Sequence, residues 1–277
     1  MDHATRWYRP LLVATAVVAT TGASNALVGC TGAPSPTPTA VPTISIQPAP
    51  TWSSSVPAIP DDVHVTWAYL DSTDGTHTRS GDTDQHELDR LIVPGLAQVY
   101  ADQTTDPSAE LLASALAQNQ PAGEELIERA GGVATFRKVI DVCSLDDTEA
   151  DPPRATVLAV AQYAACLREG AITNPELAGK LLDDMRATAG GIGDVRGNDG
   201  GQRLAQFNST APAGAARSRT WCMGIGAYWS AAVLVDWPTD RGELYGVAAC
   251  AEVARSGFPP DTQPAPESIP PTPVPSI

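Results

Sequence analysis

Prolines divide this 277-residue chain more sharply than any other residue type. Eight of the 25 lie between residues 31 and 60, and eight more follow Phe258. Proline fixes φ and donates no backbone hydrogen bond, so runs of Pro mixed with Thr, Ser and Ala stay extended and have little to bury. Residues 30–60 therefore read as a tether and residues 258–277 as a disordered tail. Between them, residues 61–257 carry the sequence of one domain. The chain is 43% apolar, enough to build a core there despite its proline content.

The first 29 residues read as a signal peptide. Arg6 and Arg9 make a positive start, and an apolar stretch runs from Leu11 to Ala19. It falls short of the roughly 20 apolar residues a membrane span needs. The segment ends Leu27-Val28-Gly29-Cys30, which resembles the bacterial lipobox. That resemblance implies cleavage before Cys30, lipid modification of that cysteine with acyl chains such as palmitate, and attachment to the extracytoplasmic face of the cell membrane. Several acyl chains anchor stably where a single one is marginal. A net charge of −15 and a pI near 4.5 exclude a nucleic-acid partner, which needs a basic face. A mean hydropathy of −0.11 excludes a multi-span membrane protein.

Four cysteines fall within the domain: Cys143, Cys166, Cys222 and Cys250. An even number in an exported chain favours two disulfides, with three possible connectivities. Their order suggests Cys143–Cys166 and Cys222–Cys250. A zinc site is the alternative, but neither a Cys-x-x-Cys spacing nor a nearby His pattern supports it.

Hydrophobic periodicity gives the fold class. Val63 to Leu70 alternates, with Val65, Trp67 and Tyr69 on one face, as a strand does. Asp71 to Gly75 is a turn, and residues 76–81 return as a hairpin partner. Leu88, Leu91, Ile92, Leu96 and Val99 have helical spacing over 87–101, with Pro94-Gly95 marking a kink or restart. Helices follow near 107–118, 121–130 and 132–142, the last two separated by Gly131-Gly132. A further helix spans about 154–169, and Asn174-Pro175 caps another reaching Ala187. After a glycine-rich loop over 190–201 come strands near 202–208, 217–226 and 229–237, then a helix over 240–256. The reading is an α+β fold, in which one antiparallel sheet unites N-terminal and C-terminal strands and carries the helices.

No common catalytic or metal motif is complete. Asp82, Asp84, His86, Glu87 and Asp89 form the densest polar cluster, but Arg90 stands where a zinc-protease motif needs its second His. The calcium-loop pattern fails at Glu87 and Val93. His64, His77 and His86 lie near the first strands, and Ser80 and Ser209 could approach the same edge as they do. There is no Gly-x-Ser-x-Gly elbow, and the glycine loop lacks phosphate-binding spacing. No metal or other cofactor is expected.

Several stretches together resemble the class A β-lactamase-like, or penicillin-binding-protein-like, serine hydrolases, particularly secreted actinobacterial ones. They are Leu126 to Arg137 around Gly131-Gly132, Ala161 to Gly170, Leu181 to Arg186, and the closing hairpin Thr220 to Gly226 with Ala231 to Val235 and Trp237-Pro238. The element order agrees. The family's chemistry uses Ser-x-x-Lys, Ser-Asp-Asn and Lys-Thr-Gly. This chain has only two lysines, Lys138 and Lys180. Thr135 precedes the first by three positions and Leu177 the second, so neither completes Ser-x-x-Lys. Val139 and Leu181 follow them, so neither begins Lys-Thr-Gly.

Aligning the family's nucleophile helix with 87–101 puts Glu87 at the serine position and Arg90 at the lysine position. An arginine stays protonated and is no base. Gln118-Asn119-Gln120 falls near Ser-Asp-Asn, and Phe207-Asn208-Ser209 near Lys-Thr-Gly. The resemblance thus implies a degenerate cleft lined by Glu87, Arg90, Asn119, Asn208 and Ser209, with no catalytic residue carried over. It further implies a binding role in the cell envelope, toward a peptidoglycan fragment or an envelope protein. The rival reading is a serine hydrolase with relocated catalytic residues acting on peptidoglycan- or β-lactam-like substrates. Cys30→Ala is expected to move the protein from membrane to soluble fractions on cell fractionation; unchanged membrane retention refutes the lipid anchor.

Overall fold

Strand β1 (His64–Asp71) lies at the centre of the fold's long-range pairing. It runs antiparallel to β2 (His77–Ser80) on one side and to β8 (Trp229–Pro238) on the other. The computed structural model describes residues 59–194 and 204–258. The expectations for the signal segment, Cys30, the tether up to residue 58, residues 195–203 and the tail beyond Phe258 lie outside these residues. Among the described residues, no helix is long and apolar enough to cross a membrane.

The elements after β2 follow in chain order. They are β3 (His86–Glu87), α1 (Val93–Gln103), α2 (Ala109–Leu116), α3 (Gln120–Arg129), α4 (Phe136–Cys143), β4 (Thr148–Ala150), β5 (Pro153–Ala155), α5 (Val157–Glu169), α6 (Pro175–Met185), β6 (Ala205–Pro212), β7 (Arg217–Ile225), β8 and α7 (Tyr245–Gly257). The main sheet has the order β2-β1-β8-β7-β6 and is antiparallel throughout. The expected union of early and late strands is therefore observed.

Strand alternation separates two cores. Trp67 and Tyr69 face α7, together with Trp229, Val233 and Trp237, and meet Cys250 of that helix in one core. Ala68, Trp221, Met223 and Leu234 face the larger helical layer of α1 to α6. Phe258 belongs to the first core: its ring lies 5.6 Å from Trp67 and 5.5 Å from Tyr69. The sequence boundary that placed Phe258 in the tail moves accordingly. Both expected disulfides are present. Cys143–Cys166 ties α4 to α5, and Cys222–Cys250 ties β7 to α7, with Cα separations of 5.6 and 6.3 Å. Loops of this size correspond to about 3–4 kcal/mol each in a chain-entropy account.

Two sequence expectations change. A second sheet, β3-β5-β4, was not visible in the sequence. Its strands are two or three residues long, too short for alternation, and β5 begins in Asp151-Pro152-Pro153. The helix expected from Glu87 starts later. Glu87 is in β3, Asp89–Ile92 form a 3₁₀ turn, and α1 begins at Val93. Asp89 has φ +47°, which cannot continue a right-handed helix. Pro94, lacking an N–H, suits only a first helical turn.

Helix α1 is buried from Val93 to Ala101, so its N-terminal amides cannot rely on water. The fully buried Tyr163 of α5 supplies a partner. Its hydroxyl accepts from Gly95 N–H at 2.5 Å and donates toward the Ile92 carbonyl at 3.4 Å. Burial raises the Tyr163 pKa far above the ordinary range. Glycine is required at 95 because a Cβ there would stand 2.6 Å from that oxygen. The other caps are local: Ser108, Asn119, Thr156 and Asn174 accept from Leu111, Ala122, Ala159 and Leu177. Gly95→Ala is expected to destabilise the domain by about 1–3 kcal/mol through overpacking. Tyr163→Phe should cost about 1–2 kcal/mol for the lost bond. In denaturant melts the double variant should fall short of the sum, because removing the hydroxyl relieves the clash.

Candidate functional site

The 3₁₀ turn at Asp89–Ile92 packs beside edge strand β6, with the α2–α3 loop nearby. Trp221, fully buried on β7, fixes the base of this region by donating from Nε1 to the Glu87 carbonyl at 2.8 Å. The Glu87 side chain itself is exposed. Ser209 is opposite Trp221 in the β6–β7 register and shares its face of the sheet. It is buried, at 7% exposure.

Asn208 is the next residue on the same strand and therefore points to the other face. Its Nδ2 lies 3.4 Å from the Gly190 carbonyl, and a Cβ on Gly191 would come within 2.8 Å of its Oδ1. Its neighbour Gln206 accepts from Gly193 N–H at 2.7 Å and donates to the Thr188 carbonyl at 2.8 Å. Asn208 and Gln206 thus hold the Gly191–Asp194 turn against β6. Asn119 is spent in another way, since its side-chain oxygen caps α3. The five expected residues do not line one cleft. Glu87 and Ser209 flank Trp221, Arg90 and Asn119 belong to the α2–α3 loop region, and Asn208 lies behind the sheet.

Arg90 extends from the 3₁₀ turn toward that loop. Its Nη2 is 3.4 Å from the Gln118 carbonyl, and its guanidinium lies over Gly123, where a Cβ would be only 3.0 Å away. Burial lowers its pKa, while Glu124 acts in the opposite direction. Gln118 has φ +68°, a conformation unusual for a non-glycine residue.

The expected approach of Ser80 and Ser209 to one edge is corrected by the strand order. They occupy the two opposite edge strands, about 19 Å apart at the usual spacing of ~4.8 Å per strand. His64 lies in β1 opposite Asp236. His86 pairs with Asp82, Nε2 to Oδ1 at 3.1 Å, and Thr66 Oγ1 donates to the same carboxylate at 3.3 Å. Among the described residues, no three His, Cys, Asp or Glu side chains converge to hold a metal. The lysines are engaged in exposed ion pairs: Lys138 on α4 with Asp102 at 3.4 Å, and Lys180 on α6 with Glu176 at 3.0 Å.

The sequence places Asp89 in a polar cluster and Gln118 beside Asn119, but does not reveal their backbone conformation. Both are non-glycine residues in left-handed backbone, which a polar residue type alone does not reveal. Partial burial raises the Asp89 pKa, the Glu87 charge adds to this, and Arg219 opposes it.

Comparison with solved structures supports one fold. The C-terminal domain of the Bacillus licheniformis BlaR penicillin-receptor is 12% identical with a TM-score of 0.52, covering 70% of this chain and 88% of that one. PBP-A, solved as an acyl-enzyme with penicillin G, is 15% identical with a TM-score of 0.52, covering 71% and 89%. The TLA-3 extended-spectrum β-lactamase is 12% identical with a TM-score of 0.55, covering 70% and 92%. No protein-family model matches the chain, and no curated protein matches it significantly. The described domain therefore has the fold shared by class A β-lactamases and penicillin-binding proteins.

A raised carboxylate pKa means that the ionised group opposes folding above its folded pKa; the effect disappears below its unfolded one. Asp89→Asn should therefore raise Tm by about 1–2 °C at pH 7. Asn also tolerates the positive φ. The gain should shrink as pH falls into the ordinary carboxylate range, and a gain independent of pH would refute the electrostatic cause.

Proposed function

We propose that this chain is a lipid-anchored cell-envelope protein whose β-lactamase-like domain binds a ligand or partner without forming a serine acyl-enzyme. The carrying observation is the placement of its two lysines. A serine nucleophile needs a base beside it, and Lys138 and Lys180, on α4 and α6, are both paired with surface carboxylates. At the start of the α1 region the chain reads Asp89-Arg90-Leu91-Ile92-Val93, which offers neither serine nor lysine. Arg90, the one cation there, stays protonated.

The envelope location follows from the lipobox-like ending at Cys30. The ligand class, a peptidoglycan fragment or an envelope protein, follows from that location and from the fold; fold alone does not specify activity. Incubation with a fluorescent penicillin is expected to leave no covalent label on the denatured protein. A stable adduct that disappears on substituting a single serine would establish the hydrolase reading instead.

A further inference from the structure

His86 links the two sheets through a group that titrates. Its Nε2 lies 3.1 Å from Asp82 Oδ1, and the other oxygen of that carboxylate accepts from Thr66 Oγ1 of β1 at 3.3 Å. Asp82 Oδ1 also accepts from Asp84 N–H at 3.1 Å, within the connection between β2 and β3. Gly81, at φ +97°, lets that connection cross directly over Thr66, where a Cβ would stand 2.5 Å from Oγ1. On its other side the His86 ring meets Trp221 edge-on at 6.5 Å. The next residue, Glu87, accepts from Trp221 Nε1 through its carbonyl. His86 and Glu87 make up β3, which pairs with β5, and β5 with β4. The small sheet is thus tied to the main one at two neighbouring points, of which one depends on a proton.

A neutral imidazole donates an ordinary hydrogen bond to a carboxylate; an imidazolium makes a charge-assisted one about twice as strong. Among the described residues, Asp82 is the sole ion-pair partner of His86. The other charged or titratable groups on the elements around it are Asp84 and Glu87 on its own segment, Arg154 on β5, Glu149 on β4, Arg219 on β7 and His64 on β1. Arg154 is engaged with the Gln85 carbonyl, and Arg219 lies 3.6 Å from Asp236. Burial would raise the Asp82 pKa, but the bond and charge of His86, with the bonds from Asp84 N–H and Thr66, hold it below the ordinary carboxylate value. The charged pair therefore exists below the ordinary histidine range and is lost as pH rises through it; it is lost again as pH falls through the lowered Asp82 pKa. The side chains are 17% and 48% exposed for His86 and Asp82, so protons reach the pair without unfolding and the pair stays weak enough to open.

We propose that the Asp82–His86 pair is a pH-sensitive latch between the small sheet and the main one, closed in mildly acidic surroundings and loosened at alkaline pH. It governs the freedom of β3 and of the 3₁₀ turn that follows, the turn that packs beside β6. The latch belongs to the fold and holds whether the domain binds a ligand or turns over a substrate.

The test is hydrogen exchange in the full chain, read by proton–nitrogen NMR. Leu88 N–H, which donates to the Pro153 carbonyl, and Trp221 Nε1–H report the contacts of β3. Amides of the β1–β8 ladder report global opening and confirm folding in each variant. After correction for intrinsic rates, protection at the two reporters relative to the ladder should fall at least about twofold between about pH 5.5 and pH 8. Asp82→Asn and His86→Gln should both flatten that profile, and Asp82→Asn keeps an acceptor for Thr66. Asp82→Asn should also lower the midpoint of the His86 imidazole titration by at least about 0.3 pH unit. His64 and His77 remain in both variants and cannot supply the difference. A protection ratio that does not change with pH in the unaltered chain overturns the latch. So does a pH profile that persists in both variants, and so does an unmoved His86 midpoint in Asp82→Asn.

Discussion

The antiparallel ladder between β1 and β8 is the contact on which the remaining packing depends. It joins His64–Asp71 to Trp229–Asp236 across most of the domain's sequence. Before it forms, neither face of the sheet is complete. The helical layer needs Ala68 and Leu234 on one side, and α7 needs Trp67 and Val233 on the other. Such non-local pairing is slow to form because loop closure must precede any gain from packing. Its eight-residue register is nevertheless well specified, since a slip of one residue would move Trp67 and Tyr69 to the wrong core.

The parts of the fold that were legible in the sequence are those with strong periodicity or explicit punctuation. The alternation in β1, the Asn174-Pro175 cap and the Gly131-Gly132 break all correspond to observed elements. The β3-β5-β4 sheet was not legible, because pairing within strands so short is decided by neighbours rather than by their own pattern. The start of α1 was misplaced because Leu88 and Leu91 satisfy helical spacing, whereas the backbone at Asp89 breaks it. For the site, residue types could be listed but their directions could not. Asn208 and Ser209 are neighbours in sequence, and the pleat alone sends them to opposite sides of the sheet. Asn119 looked like a free polar group until its role as a helix cap used its oxygen.

Two cations differ in the chemistry they can offer. Lysine can lose its proton when desolvated and then serve as a base; arginine instead keeps its charge and offers a planar set of donors. In this chain Arg90 lies within the 3₁₀ turn, and both lysines pair with carboxylates on exposed helix surfaces. Gly123 and the left-handed Gln118 shape a place for a guanidinium that receives little in return from its own fold.

The two disulfides each join cysteines that are consecutive within the domain. On a chain that emerges N-terminus first, Cys143 meets its partner Cys166 before Cys222 appears, and Cys222 then meets Cys250. Simple oxidation in order of arrival produces the native set, with no need to reshuffle wrong pairs. The fifth thiol, Cys30, would arrive earliest and could compete for Cys143. If it carries the proposed lipid, its sulfur is already a thioether, and the modification that anchors the protein also leaves an even number of thiols for oxidation.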